Sequence, residues 1–147
     1  MIDFENRTDL KIDLKKAETI LNYILSISDK TLSNNLELII VNNSEIKEIN
    51  KEYRGIDKPT DVLSFPMDIL IPEAFIGTII ISSDKVIEGA KEFKHSIEDE
   101  FLLLFIHGVL HLIGYDHEID NGEMREQERR VIENFNLPDS LIVRSDK

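Results

Sequence analysis

Histidine is scarce in this chain, and three of its four histidines fall inside His107-Gly108-Val109-Leu110-His111-Leu112-Ile113-Gly114-Tyr115-Asp116-His117. On a helix, His107 and His111 lie about 40° apart around the axis and roughly 6 Å along it, the usual way for one helix to offer two imidazoles to one metal ion. His117 cannot continue that helix. At about 1.5 Å per residue it would lie roughly 15 Å beyond His107, whereas Zn–N bonds are about 2 Å long. The chain therefore has to reverse between His111 and His117, and Gly114 stands where a left-handed residue ends a helix without steric cost. The expectation is one metal ion on His107, His111 and His117, with a position left open. Cysteine is absent, which excludes the Cys-based structural zinc sites. Three nitrogen ligands with room for water have the make-up of a catalytic site.

The helix that carries the pair should open at Ser96, with Asp99 three residues on in a capping-box pattern and Glu98, Asp99 and Glu100 at the positive end of the dipole. From Phe101 to Ile113 the sequence is apolar almost all round, so this helix should run through the core and fix the histidine rotamers. Met124, Val131, Ile132 and Phe135 mark a last amphipathic helix, followed by Pro138. Residues beyond Leu141 read as a frayed end.

Upstream, Ile2 and Phe4 alternate with Asp3 and Glu5 as in a half-buried strand. Asp13 caps a helix whose one face is Leu14, Ala17, Ile20, Leu21, Ile24 and Leu25. Leu36–Val41 is a β-branched run bounded by asparagines, hence a strand. A helix should follow from Ser44, its start helped by Glu45 or Glu48, with Ile46, Ile49 and Tyr53 on the apolar face. Lys47, Lys51 and Arg54 form a basic stripe extended by Lys58, read either as a solvated face with ion pairs or as a surface for a phosphate chain. Gly55 ends that helix, Lys58-Pro59-Thr60 turns, and residues 61–65 read as a strand stopped by Pro66. After a loop at Pro72, residues 75–82 read as a further strand, an edge beside the site being one option for it. Ser83 or Asp84 then caps a helix with Val86, Ile87, Ala90 and Phe93. His95, outside the cluster, reads as an exposed bystander.

At 147 residues, with 41% hydrophobic and 31% charged residues, the chain is most simply one globular domain, 1–147, of α/β (α+β) class with four strands among its helices. Zero cysteines fits a reducing cytoplasm. The N-terminus lacks the basic and apolar regions of a signal peptide, and the longest apolar run, residues 101–106, is too short for a membrane span, so a cytoplasmic protein without a membrane partner is expected. The net charge of −12 runs against the positive footprint of nucleic-acid enzymes, so any RNA binding must rest on a local basic patch or on a partner.

The histidine stretch overlays the metzincin protease pattern H-E-x-x-H-x-x-G-x-x-H at all three histidines and at the glycine, but Gly108 stands where those proteases carry their general-base glutamate. A peptidase built on this helix would lack its base. A glycine inside a helix points to close approach of another backbone or of substrate, or to plain packing. His107-Gly108-x-Leu110-His111-Leu112-x-Gly114-Tyr115-Asp116-His117, with Tyr53-Arg54-Gly55 and Asp57-Lys58-Pro59-Thr60-Asp61-Val62-Leu63-Ser64-Phe65-Pro66, resembles the YbeY family of bacterial ribosomal-RNA maturation endoribonucleases.

The resemblance implies a single domain with a small mixed sheet and a zincin-like helix, and one Zn2+ held by His107, His111 and His117. It implies cleavage of single-stranded ribosomal RNA (16S rRNA 3′ end maturation) and a part in ribosome quality control, with Arg54 and His111 as the catalytic residues. Ribosomal RNA and the ribosome or its proteins would be the partners, and DNA would not. Arg54 suits a phosphate, since its fork makes paired charge-assisted hydrogen bonds that lysine matches poorly. Asp116 either orients a histidine or caps the turn, and Ser64 and Lys58 are weaker site candidates. The competing readings are an assembly factor with a non-catalytic zinc and another metal-dependent hydrolase.

Overall fold

The alternation of apolar and acidic residues at the start of the chain becomes β1 (Ile2–Asn6), and Asp13 caps α1 (Leu14–Ile27) by accepting from the backbone N–H groups of Lys15 and Lys16. β2 (Leu36–Val41) lies parallel to β1. Next come α2 (Asn43–Arg54), β3 (Val62–Pro66), β4 (Gly77–Ser82), α3 (Ser83–Glu92), α4 (Ile97–Leu112) and α5 (Glu123–Phe135). The protein is mixed α/β, seen in a computed structural model that describes residues 1–28, 32–67, 75–139 and 142. The expected loop at Pro72 and residues 143–147 lie outside the described residues, whereas Ile142, expected to belong to a frayed end, is buried in the large core. No helix among the described residues is long and apolar enough to cross a membrane.

The sheet has the order β1-β2-β4-β3, parallel throughout except for β3, which runs antiparallel to β4. β4 is therefore an interior strand and β1 and β3 are the edges, where the sequence left the position of β4 open. β4 also begins at Gly77 rather than at Phe75, and Pro66 is the last residue of β3 rather than the residue that stops it. An edge strand end tolerates a proline, because its missing N–H costs no ladder bond.

The period of two divides the sheet's side chains between two cores. Leu36, Leu38 and Ile40 of β2 and Ile79 and Ile81 of β4 face the large core with α1, α4 and α5. Val41, Ile80 and Leu63 face the other way, against Ile46 of α2. α4 is the spine of the large core, with Phe101 to Ile106 and Val109 to Ile113 all buried apart from His111. Ser96 caps it by accepting from Asp99 N–H at 3.0 Å, as the sequence led one to expect.

Several local expectations shift. The caps of α2 and α3 are Asn42 and Ser82 rather than Ser44 and Ser83 or Asp84, because each is the last strand-side residue whose side chain reaches the third N–H ahead. Tyr53 leaves the apolar face of α2 and is 66% exposed, touching Phe65 only edge to face at 5.3 Å. Residues 51–54, the last turn of α2, are all exposed, so little core is left there to cover the ring. His95 is no exposed bystander. It lies in the turn between α3 and α4, its side chain is 10% exposed, and Nε2 sits 2.7 Å from Oε1 of the buried Glu100. Lys94 before it takes φ 56°, and that turn directs the ring inward.

Candidate metal centre

The histidine cluster is assembled by a helix end. In the last turn of α4, Tyr115 N–H donates to Leu110 C=O at 3.0 Å and Gly114 N–H to His111 C=O at 3.1 Å, the paired bonds of a Schellman motif. Gly114 takes φ 108°, the left-handed value that the motif requires of its glycine. The chain then doubles back through a turn in which Asp116 Oδ1 accepts from Glu118 N–H, and Asp116 C=O from Ile119 and Asp120 N–H. Of its two sequence readings, Asp116 therefore follows the turn-capping one. Asp120 ties the far end of the turn to α5 by accepting from Gly122 and Met124 N–H, and these two bonds hold its carboxylate below the usual range.

This reversal returns His117 to His107 and His111. The ring centroids are 4.7, 5.2 and 5.6 Å apart, and one nitrogen from each ring lies within 4.8 Å of the others, a group that can hold a metal ion. The Nε2 atoms of His107 and His111 approach to 3.2 Å. Two nitrogens on one tetrahedral zinc with bonds of about 2.0–2.1 Å lie about 3.3 Å apart, so this pair already has the spacing of ligands. His117 keeps Nδ1 buried with no hydrogen-bond partner among the described residues. Burial first, then the nearby His107 and His117, lowers the His111 pKa. Its neutral form, the one that ligates, is thus favoured. The donor set fits a metal of zinc type.

The histidines open onto a cleft of about 470 Å³ whose other walls include Arg54, Asp61, Val62, Ser64, Pro66, Asp116 and Glu118. Arg54 comes from the end of α2, closed by Gly55 at φ 71°, and reaches the cleft past the β3 edge. Of the basic stripe, Arg54 alone lines the cleft: Lys47 faces Asp57 at 3.9 Å, and Lys58 is exposed with its carbonyl accepting from Asn50 Nδ2. Ser64 lines the cleft and donates from Oγ to Gly108 C=O at 3.1 Å. Gly108 is explained by neither backbone nor substrate approach: a Cβ there would meet Ile79 Cγ2 at 3.0 Å. The close packing of α4 onto β4 is what favours the glycine.

One residue of the centre escaped the sequence reading. Glu128 of α5, 1% exposed, accepts from His107 Nδ1 through Oε2 at 2.7 Å. Its signal was present, since Met124, Glu128 and Val131 share the buried stripe of α5 and one of them is a carboxylate.

Residues 2–136 match the family model described as Endoribonuclease YbeY. The chain belongs to that family. It is 57% identical to the Endoribonuclease YbeY of Aliarcobacter butzleri over 99% of both chains, and 51% identical to that of Nautilia profundicola over 99% of both. It also resembles the solution structure of TM1509 from Thermotoga maritima, with a TM-score of 0.62, 32% identity and 92% of each chain covered. The expectation of an endoribonuclease-family enzyme, drawn from the histidine and Arg54 motifs, is met across nearly the whole chain. Gly108, which argued against a peptidase, is consistent with that outcome.

Proposed function

We propose that this chain is a zinc-dependent endoribonuclease, cytoplasmic, acting on single-stranded ribosomal RNA in its maturation, with the ribosome as its setting. The observation that carries the reading is the meeting of His107, His111 and His117 with Arg54 in one cleft, in a chain whose relatives are named endoribonucleases. When bound, zinc supplies a Lewis acid for phosphodiester chemistry. His107, His111 and His117 hold it, and Arg54 binds the phosphate by forked, charge-assisted hydrogen bonds, fixing its orientation in the cleft. The cleft has acidic residues, Asp61, Asp116 and Glu118, on its walls. Arg54 therefore provides the positive charge against a net charge of −12, and RNA binding gains from a basic partner such as a ribosomal protein.

The test is zinc content and RNA cleavage measured together on wild type, His111→Ala and Arg54→Ala purified alike. The proposal expects about one zinc per wild-type chain, as three-histidine sites take. Both variants should lose cleavage, and Arg54→Ala should keep its zinc. Equal cleavage by all three would assign the activity to a contaminant. The same acidic charge favours a second reading, an assembly factor whose zinc is not catalytic. A His111→Ala protein that still folds and still supports ribosome maturation would select it.

A further inference from the structure

We infer that Glu128 orients His107 towards the metal position, and that α5 serves the centre by delivering this carboxylate. The inference rests on the three-histidine reading above. Met124, Glu128 and Val131 lie at i, i+4 and i+7 on one face of α5, and the two apolar members are fully buried. A carboxylate between them is costly unless its bonds are made, and leucine would fill the stripe more cheaply. Glu128 has only part of its bonding capacity met. Oε2 accepts from His107 Nδ1, while Oε1 is buried with no hydrogen-bond partner among the described residues. A half-satisfied buried carboxylate is a poor device for stability.

What it does well is directional. Accepting from Nδ1 keeps the proton on that nitrogen and leaves the lone pair on Nε2, the atom that faces His111 Nε2 at 3.2 Å. The bond also fixes the ring's rotation, which a helix backbone alone does not. Glu128 is thus a positioning residue acting through His107. α4 supplies two ligands, and the segment after it returns both the third ligand and the group that aims the first. The other buried glutamate, Glu100, also meets an imidazole, that of His95, but His95 belongs to no group of possible ligands among the described residues.

The experiment uses full-length wild type, Glu128→Leu, Glu128→Gln and Val131→Ala, with zinc as the only ligand. Zinc affinity is read by chelator competition, thermal unfolding is followed without zinc, and the His107 tautomer is read from long-range 1H–15N NMR of the zinc-free protein. Glu128→Leu should bind zinc about 10–100-fold more weakly. Its zinc-free unfolding temperature should be no lower than wild type, and His107 should lose its preference for the Nδ1-protonated form. Glu128→Gln keeps an acceptor oxygen and should retain the tautomer and most of the affinity. Val131→Ala loosens α5 without touching the pair, so it should lower the unfolding temperature and leave zinc affinity unchanged.

Wild-type affinity in Glu128→Leu, or equal weakening in Val131→Ala, overturns the inference. So does an Nε2-protonated His107 in the zinc-free wild type, a result that needs no variant to fold. A wild type that binds no zinc overturns the metal centre and this inference with it. One that binds zinc tightly but cuts no RNA overturns the proposed function alone.

Discussion

Gly108→Ala is a substitution whose sign separates local propensity from packing. In the middle of α4, alanine is favoured over glycine by about 1 kcal/mol in helix propensity. Against that, the new Cβ would lie 3.0 Å from Ile79 Cγ2, 3.2 Å from Cδ1 and 3.3 Å from Cγ1. Ile79 is fully buried on the α4 side of β4, and protein cores are packed closely enough that moving it costs energy. Forcing a methyl into such a core costs about 1–3 kcal/mol, leaving a net loss of up to about 2 kcal/mol. For a chain of this length that lowers the unfolding midpoint by up to roughly 8 °C. The assay is a double-mutant cycle by thermal unfolding of zinc-free Gly108→Ala, Ile79→Ala and the pair. Ile79→Ala alone should cost about 2–5 kcal/mol. The methyl at position 108 then fills part of the hole, so the pair should lose about 1 kcal/mol less than the sum. A Gly108→Ala protein more stable than wild type, or a strictly additive cycle, would refute the reasoning.

Other consequences follow from the same geometry. Zinc added at about a hundred times its dissociation constant should stabilise wild type by about 2.7 kcal/mol, and this rise in unfolding temperature should vanish in His111→Ala. Arg54→Lys keeps the charge but not the fork, so cleavage should fall roughly 10–100-fold with zinc content intact, measured on a single-stranded RNA oligonucleotide. His95→Leu takes the imidazole away from the buried Glu100 carboxylate and should cost about 1–3 kcal/mol in denaturant unfolding while leaving zinc affinity unchanged.

The sequence made the histidine-bearing part of the fold plain because the constraint there is one of length. A histidine six residues past the helical pair can return only if the helix ends, and Gly114 is the residue that ends it. The strands and the capped helices were equally open to a reading by period, with limits misplaced by a residue or two where a strand residue such as Ser82 doubles as a cap. What stayed hidden were facts of pairing between distant segments. Nothing local tells β4 that it will sit between β2 and β3, or tells His95 that Glu100 will be turned towards it. Glu128 was hidden for another reason. A charged residue on an apolar stripe reads as a small blemish in an amphipathic helix until its partner is known. Gly108 gave a true signal of close approach, but the sequence could not name Ile79 as the neighbour.

The position of the cleft follows from the sheet. α4 packs on one face and α2 on the other, with buried side chains filling both spaces. Packed layers stand roughly 10 Å apart, so side chains from the two helices cannot meet through the middle of the sheet. They can meet only around an edge strand, and β3 is that edge. Its antiparallel course follows from the connection: residues 55–61 double back along α2, with Lys58 C=O accepting from Asn50 Nδ2, and enter β3 beside the end of β4, where Val62 pairs with Ile81. The end of α2 therefore lies near the far end of β3, where Tyr53 meets Phe65. The α4-facing side of the same strand carries Ser64, bonded to Gly108 one residue from His107. β3 thus ties the Arg54 end of α2 to the histidine face of α4, and a shift in its register by one residue would put Ser64 on the wrong face. The two motifs lie far apart in sequence, yet they line one cleft because a single edge strand borders both helices.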